Sequence, residues 1–115
     1  MILTSNLPVY KAAYDLTLNL FTYIKGFQRE FKYTLGEQLK QESILLIMTI
    51  TKANMSRDKK PFLEQARSHI ETVRILLRLS KDLHLFTVEK FVTVNQSIES
   101  ISRQVVAREK SVSPG

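Results

Sequence analysis

Two histidines, His69 and His84, and eleven acidic residues are the side chains of this 115-residue chain best suited to moving protons. A histidine works as a base when a carboxylate orients it and a nucleophile stands within reach. His69 and His84 lie about four helical turns apart, and neither has a carboxylate–serine constellation beside it. A metal pair would need closer spacing. The chain has no cysteine, which excludes disulfides, zinc–thiolate sites and thiol catalysis. Gly36, in TLGE, belongs to no phosphate loop, because neither GxxxxGK followed by Ser or Thr nor GxGxxG occurs. Most glutamates have Lys or Arg within one helical turn, an arrangement of surface pairs rather than of tuned acids and bases. The expectation is a protein that is not an enzyme, with no catalytic residue, metal, cofactor or small-molecule substrate.

The chemistry that remains is that of positive charge. Lys and Arg number 17 against 11 Asp and Glu, a formal charge of +6 and a pI near 9.7. Such a field favours nucleic acid, an acidic protein face or anionic lipid, without choosing among them. The densest pattern is RILLRLSKDL, Arg74 to Leu83. At about 100° per residue, Arg67, Arg74, Arg78 and Lys81 fall along one helix flank between two apolar surfaces, with Glu64 and Glu71 beside them. Two readings of that flank stand together. It is a solvated face with the pairs Glu64–Arg67, Arg67–Glu71, Glu71–Arg74 and Glu71–Arg78, each worth about 0.3–0.5 kcal/mol. Alternatively, repeated by symmetry in an oligomer, it is a positive groove for a phosphate backbone.

The elements that must carry this flank are helices. Three glycines and three prolines suit long helices joined by short loops. The first is expected over about 8–25, with Pro8 in its first turn, Ser5 or Asn6 near its cap, and Val9, Ala13, Leu16, Leu20 and Ile24 as its core stripe. After the loop GFQREFKY, Thr34 with Glu37 reads as a capping box opening a helix over about 35–54, with stripe Leu35, Leu39, Leu46, Ile50 and Ala53. Asp58 reads as the cap of a third helix over about 60–84, whose stripe is Leu63, Ala66, Ile70, Val73, Leu77 and Ser80. Thr87 reads as the cap of a fourth over about 88–109, with Phe91, Val94, Ile98, Ile101 and Val105; 110–115 is expected to be a frayed tail. Four amphipathic helices with short connections predict an all-α, antiparallel, up-down-up-down four-helix bundle formed by a single domain, 1–115.

Several apolar residues have no place in that core. Leu76, Leu79 and Leu83, with Ile75 at the edge, fall on the far side of helix three. Ile44, Met48 and Met55 do so on helix two, and Tyr10, Tyr14, Leu18 and Phe21 lie beside the stripe of helix one. Small bundles can have wide apolar faces, but monomers seldom leave large contiguous patches in water. The reading is a homo-oligomer in which Ile44, Met48, Ile75, Leu76, Leu79 and Leu83 contribute to the interfaces.

Four motifs in order, LPVYK (7–11), KYTLGEQL (32–39), KKPFLEQA (59–66) and RILLRLSKDL (74–83), also resemble the accessory variability determinant (Avd) family of diversity-generating retroelements. That family sits among four-helix-bundle proteins that include those encoded in 23S rRNA intervening sequences. The resemblance spans about Leu7 to Gln104. It implies a homopentameric ring or barrel with a basic surface, binding the element's reverse transcriptase and template RNA or cDNA in support of mutagenic cDNA synthesis. The basic positions inside matching motifs are Lys11, Lys32, Arg74, Arg78 and Lys81; Lys60 and Arg67 join them by helical geometry.

Two other classes compete. One is an intervening-sequence-type protein-interaction scaffold without specific nucleic-acid binding. The other is a basic amphipathic helix on a membrane surface, which the core stripe on every helix disfavours. No membrane partner is expected: no run of about 18 uncharged apolar residues exists. MILTSNLP does not read as a signal peptide. A cytoplasmic location is the expectation.

Overall fold

The computed structural model describes residues 3–112. A short 3-10 turn, Thr4–Asn6, leads into α1 (Pro8–Ile24); a single turn, α2 (Arg29–Lys32), precedes α3 (Leu35–Met55); α4 (Lys60–Asp82) and α5 (Val88–Val112) follow. No strand occurs among the described residues. Each long helix packs against two others: α1 and α4 each lie against both α3 and α5. Contacts across the seams run in opposite directions along the paired chains. Arg67 meets Glu109, Arg74 meets Glu99 and Lys81 meets Phe91, so α4 and α5 are antiparallel. The result is an up-down-up-down bundle measuring 45 × 25 × 22 Å. Among the described residues no helix is long and apolar enough to cross a membrane.

Spacing explains the core. Val9, Ala13, Leu16, Leu20 and Ile24 on α1 are buried together with Leu35, Leu39, Leu46, Ile50 and Ala53 on α3. From α4 come Leu63, Ala66, Ile70, Val73, Leu77 and Ser80, and from α5 Val94, Ile98, Ile101 and Val105. Residues three and four apart share one helix face, so each stripe buries as a unit. Phe91 is only half-buried, packed on the rim of this core.

The helix ends depart from the sequence reading. Leu7, not Ser5 or Asn6, is the N-cap of α1, and it makes no side-chain cap bond. The capping box at Thr34 does not form: the Thr34 hydroxyl donates back to Glu30 O at 2.8 Å, and Glu37 stands 3.5 Å from Lys40 instead. The intervening turn α2 sets that geometry by bringing the Glu30 carbonyl within reach. Lys59, not Asp58, occupies the cap position of α4. Its ammonium donates to the carbonyls of Ala53, Asn54 and Ser56 at 3.0, 3.1 and 2.9 Å, closing the C-terminus of α3, where a cation also complements the helix dipole. Thr87 does cap α5, accepting the Lys90 amide at 3.2 Å. Helix α5 continues to Val112, because Val112, seven residues beyond Val105, still packs on the core. Of the tail 110–115, residues 113–115 lie outside the described residues.

His84 ends α4. It takes φ 59°, and the amides of His84 and Leu85 donate to Lys81 O and Ser80 O, both at 2.9 Å. This is the Schellman closure, with histidine where glycine is the usual residue.

Candidate nucleic-acid interface

Arg67, Arg74 and Lys81 are seven residues apart on α4, so their side chains return to nearly the same flank each second turn. That flank faces α5. The Arg74 guanidinium makes a two-pronged contact with Glu99: Nε and Nη2 donate to its two carboxylate oxygens, each at 2.8 Å. Nη2 also donates to Ser102 Oγ at 2.9 Å, and Nη1 to Glu71 within its own helix. These bonds, with Glu99 first among them, make Arg74 hold its proton still more firmly than an ordinary guanidinium. The same bond from Arg74 holds the Glu99 carboxyl below its usual range, helped by the charges of Arg74 and Arg103. Arg67 Nε lies 3.2 Å from Glu109, and the Lys81 ammonium lies 5.1 Å from the centre of the Phe91 ring. The three side chains form a ladder between α4 and α5.

Arg78 points more outward and pairs with Asp82, one turn on, at 3.2 Å. Of the four pairings expected along this flank, only Glu71–Arg74 is found among the described residues. Arg67 takes Glu109 and Arg78 takes Asp82 instead. Sequence spacing within α4 carries no information about α5, which supplies Glu99, Ser102 and Glu109. The consequence is electrostatic. Arg67, Arg74 and Arg78 face four carboxylates, Glu71, Asp82, Glu99 and Glu109, so the basic flank is nearly neutral as a strip. The protein's net positive charge resides elsewhere.

Lys11 and Lys60 are exposed, and both lie at the bundle end built by the start of α1, the α3–α4 connection and the end of α5. Lys32 is half-buried on α2, at the opposite end. The seven expected basic positions therefore divide into a seam ladder and two ends. Sequence reasoning passed over Arg57 and Arg108, which meet Lys59 around one depression at the Lys11–Lys60 end. A signal was present: TKANMSRDKK carries four cations against one acid, a density above the average of the chain.

The apolar candidates divide as well. Ile44, Met48, Ile75, Leu79 and Leu83 are exposed, between 40% and 66%. Leu76 is only 6% exposed and belongs to the core, so its expected place in a subunit contact is corrected. It lies seven residues beyond His69, whose Nδ1 is 3.2 Å from Glu42 Oε1 on α3, and so shares the flank of α4 that α3 covers. Because α4 is held between α3 and α5, its buried arc is wider than one stripe. The His69–Glu42 contact was itself not foreseen from spacing. Among the described residues no group of three or more His, Asp or Glu could hold a metal ion.

The family model described as bAvd-like matches residues 7–112. No curated protein matches the chain.

Proposed function

The chain belongs to the bAvd-like family, and from that premise we propose that it is a non-catalytic accessory protein of a diversity-generating retroelement. In this reading it binds the element's reverse transcriptase and template RNA, or the cDNA, and supports mutagenic cDNA synthesis. It does so as a homo-oligomer, a pentameric ring or barrel, in the cytoplasm. The observation that carries the proposal is the family match over nearly the whole chain, joined to a formal charge of +6. Repetition of each basic end around a ring multiplies its phosphate contacts without any new residue.

The structure changes which residues a test should use. Arg74→Glu would place a carboxylate against Glu99 and Glu71 and loosen the α4–α5 seam, so lost binding would not report on RNA. Lys11 and Lys60 are exposed, with no ion pair among the described residues. Fluorescence anisotropy with a structured RNA is expected to show affinity falling at least about tenfold between 50 and 200 mM salt, the sign of several neutralised phosphates. Lys11→Glu with Lys60→Glu should weaken binding at least about tenfold, with helicity and assembly mass unchanged. Retained affinity in that variant would reject this end as the RNA contact.

The near-neutral α4 flank favours a second reading, a protein-interaction scaffold that meets the polymerase through exposed apolar residues and has no specific hold on nucleic acid. Absence of RNA binding even at low salt, with polymerase capture intact, would select it.

A further inference from the structure

Two arginines are half-buried among the described residues, Arg74 and Arg108. Arg74 is fully engaged, with Glu99, Glu71 and Ser102 on its nitrogens. The Arg108 guanidinium has neither a hydrogen bond nor an ion pair among the described residues. A guanidinium carries five N–H donors and keeps its charge, so partial burial without an acceptor is unfavourable. A ligand that brings acceptor oxygens removes that penalty.

Arg108 lines a depression at the end of the bundle together with Ser56, Arg57 and Lys59 of the α3–α4 connection. Arg57 and the Ser56 hydroxyl are likewise without a partner among the described residues. The Lys59 ammonium already donates to three backbone carbonyls, so it supplies field rather than a further bond. No carboxylate lines the depression: Asp58 is exposed and outside the lining, and Glu109 is engaged with Arg67. The helix ends point the same way. The first turns of α3 and α5, at the opposite end, carry Glu37 and Glu89, whereas those of α1 and α4 carry no acid. Lys60 even stands at the first position of α4, where the helix dipole disfavours a cation.

The shape of the place limits the anion. Val9, Ala53, Leu63 and Val105 beneath it are at most 4% exposed, so there is no apolar seat, only a shallow polar rim. Two unpaired guanidinium forks beside an ammonium exceed what one singly charged carboxylate or phosphodiester requires. A terminal phosphate, about −1.5 to −2 in charge at pH 7 with three acceptor oxygens, matches them. The remainder of such a ligand has to be held outside the depression. Lys11 and Lys60, exposed on the same end, suit further phosphates along a strand. We propose that Arg57 and Arg108 hold the terminal phosphate of a nucleic-acid strand, with the Ser56 hydroxyl donating to one of its oxygens. This rests on the nucleic-acid reading above and adds that the strand is held by its end.

Fluorescence anisotropy of the full chain tests it with one short single-stranded RNA prepared with a 5′ phosphate, with a 3′ phosphate, or with neither. At low salt, one of the phosphorylated forms should bind at least about fivefold more tightly than the unphosphorylated form. Arg57→Gln with Arg108→Gln should remove that preference and leave helicity unchanged, since neither side chain has a partner to lose. Lys11→Glu with Lys60→Glu should weaken all three RNAs and keep the preference. Equal binding of the three RNAs by the wild type would overturn the proposal and leave the nucleic-acid reading standing. A preference that persists without both arginines would overturn the assignment to this depression. Ribose 5-phosphate that abolishes the preference at the RNA's own concentration would overturn the strand as ligand in favour of a small phosphate ester. No binding of any of the three would overturn the nucleic-acid reading and this proposal with it.

Discussion

Gly36 shows how one side chain, or its absence, sets a distance between helices. A Cβ built there would stand 2.7 Å from Ile24 Cγ2 and 3.3 Å from the Phe31 carbonyl oxygen. Ile24 is fully buried and branched at Cβ, so that methyl cannot swing away cheaply. Glycine therefore lets the first turn of α3 close on the last turn of α1. Gly36→Ala should destabilise the fold by about 1–2 kcal/mol, the overpacking cost exceeding the gain in helix propensity. Chemical denaturation would measure it; an unchanged or raised midpoint would show that the helices yield without cost. The glycine is plain in the sequence, but its reason lies 12 residues away on another helix.

At the scale of elements, the α4–α5 seam depends on charge as well as on apolar packing. Arg74 and Glu99 are both partly exposed, so solvent screening holds their pairing to about 1 kcal/mol despite good two-pronged geometry. The carboxyl of Glu99 is depressed in the folded state, so its contribution is present above the unfolded carboxyl value of about 4.3. That contribution fades as pH falls through the lower folded value. Arg74 stays charged throughout this range and adds no dependence of its own. Glu99→Gln should therefore be less stable than wild type at pH 7, and the gap should narrow by pH 3. Thermal melts at both values check this; a gap independent of pH would mean that the pair's charge is immaterial. The core stripes of these helices were legible because each repeats within its own chain segment. The ladder was not, because Glu99 and Glu109 are 25 and 42 residues beyond their arginines.

For the whole molecule, the exposed apolar residues present the main question. Ile75 is 66% exposed, and Leu79 and Leu83 follow it at helical spacing; Ile44 and Met48 stand outward on α3. Side chains of this size are expected to find cover in a neighbouring copy. Sedimentation should therefore give a mass that is a multiple of the 13.3 kDa protomer. Ile75→Lys with Leu79→Lys should shift the mass towards the protomer while the helical signal remains, since neither side chain is part of the core. A wild-type protein that sediments at 13.3 kDa at all working concentrations would reject the assembly.

By itself the sequence determined the number of long helices, their buried faces and the identity of nearly every core residue. Helical periodicity is a local property, and a stripe such as Val9, Ala13, Leu16, Leu20 and Ile24 needs no partner to be recognised. It also displayed the motifs that resemble the family whose model matches residues 7–112. Tertiary structure alone decided which charges are spent. Spacing within α4 offered Arg67 and Arg74 only partners on their own helix or an open groove, until α5 brings carboxylates to 3.2 and 2.8 Å, whereas Arg57 and Arg108 acquire a common neighbourhood only when two distant segments meet. Leu76 passed from the outer face to the core for the same reason. Pairing and burial belong to the distances between helices, and those distances arise only when the four stripes pack together.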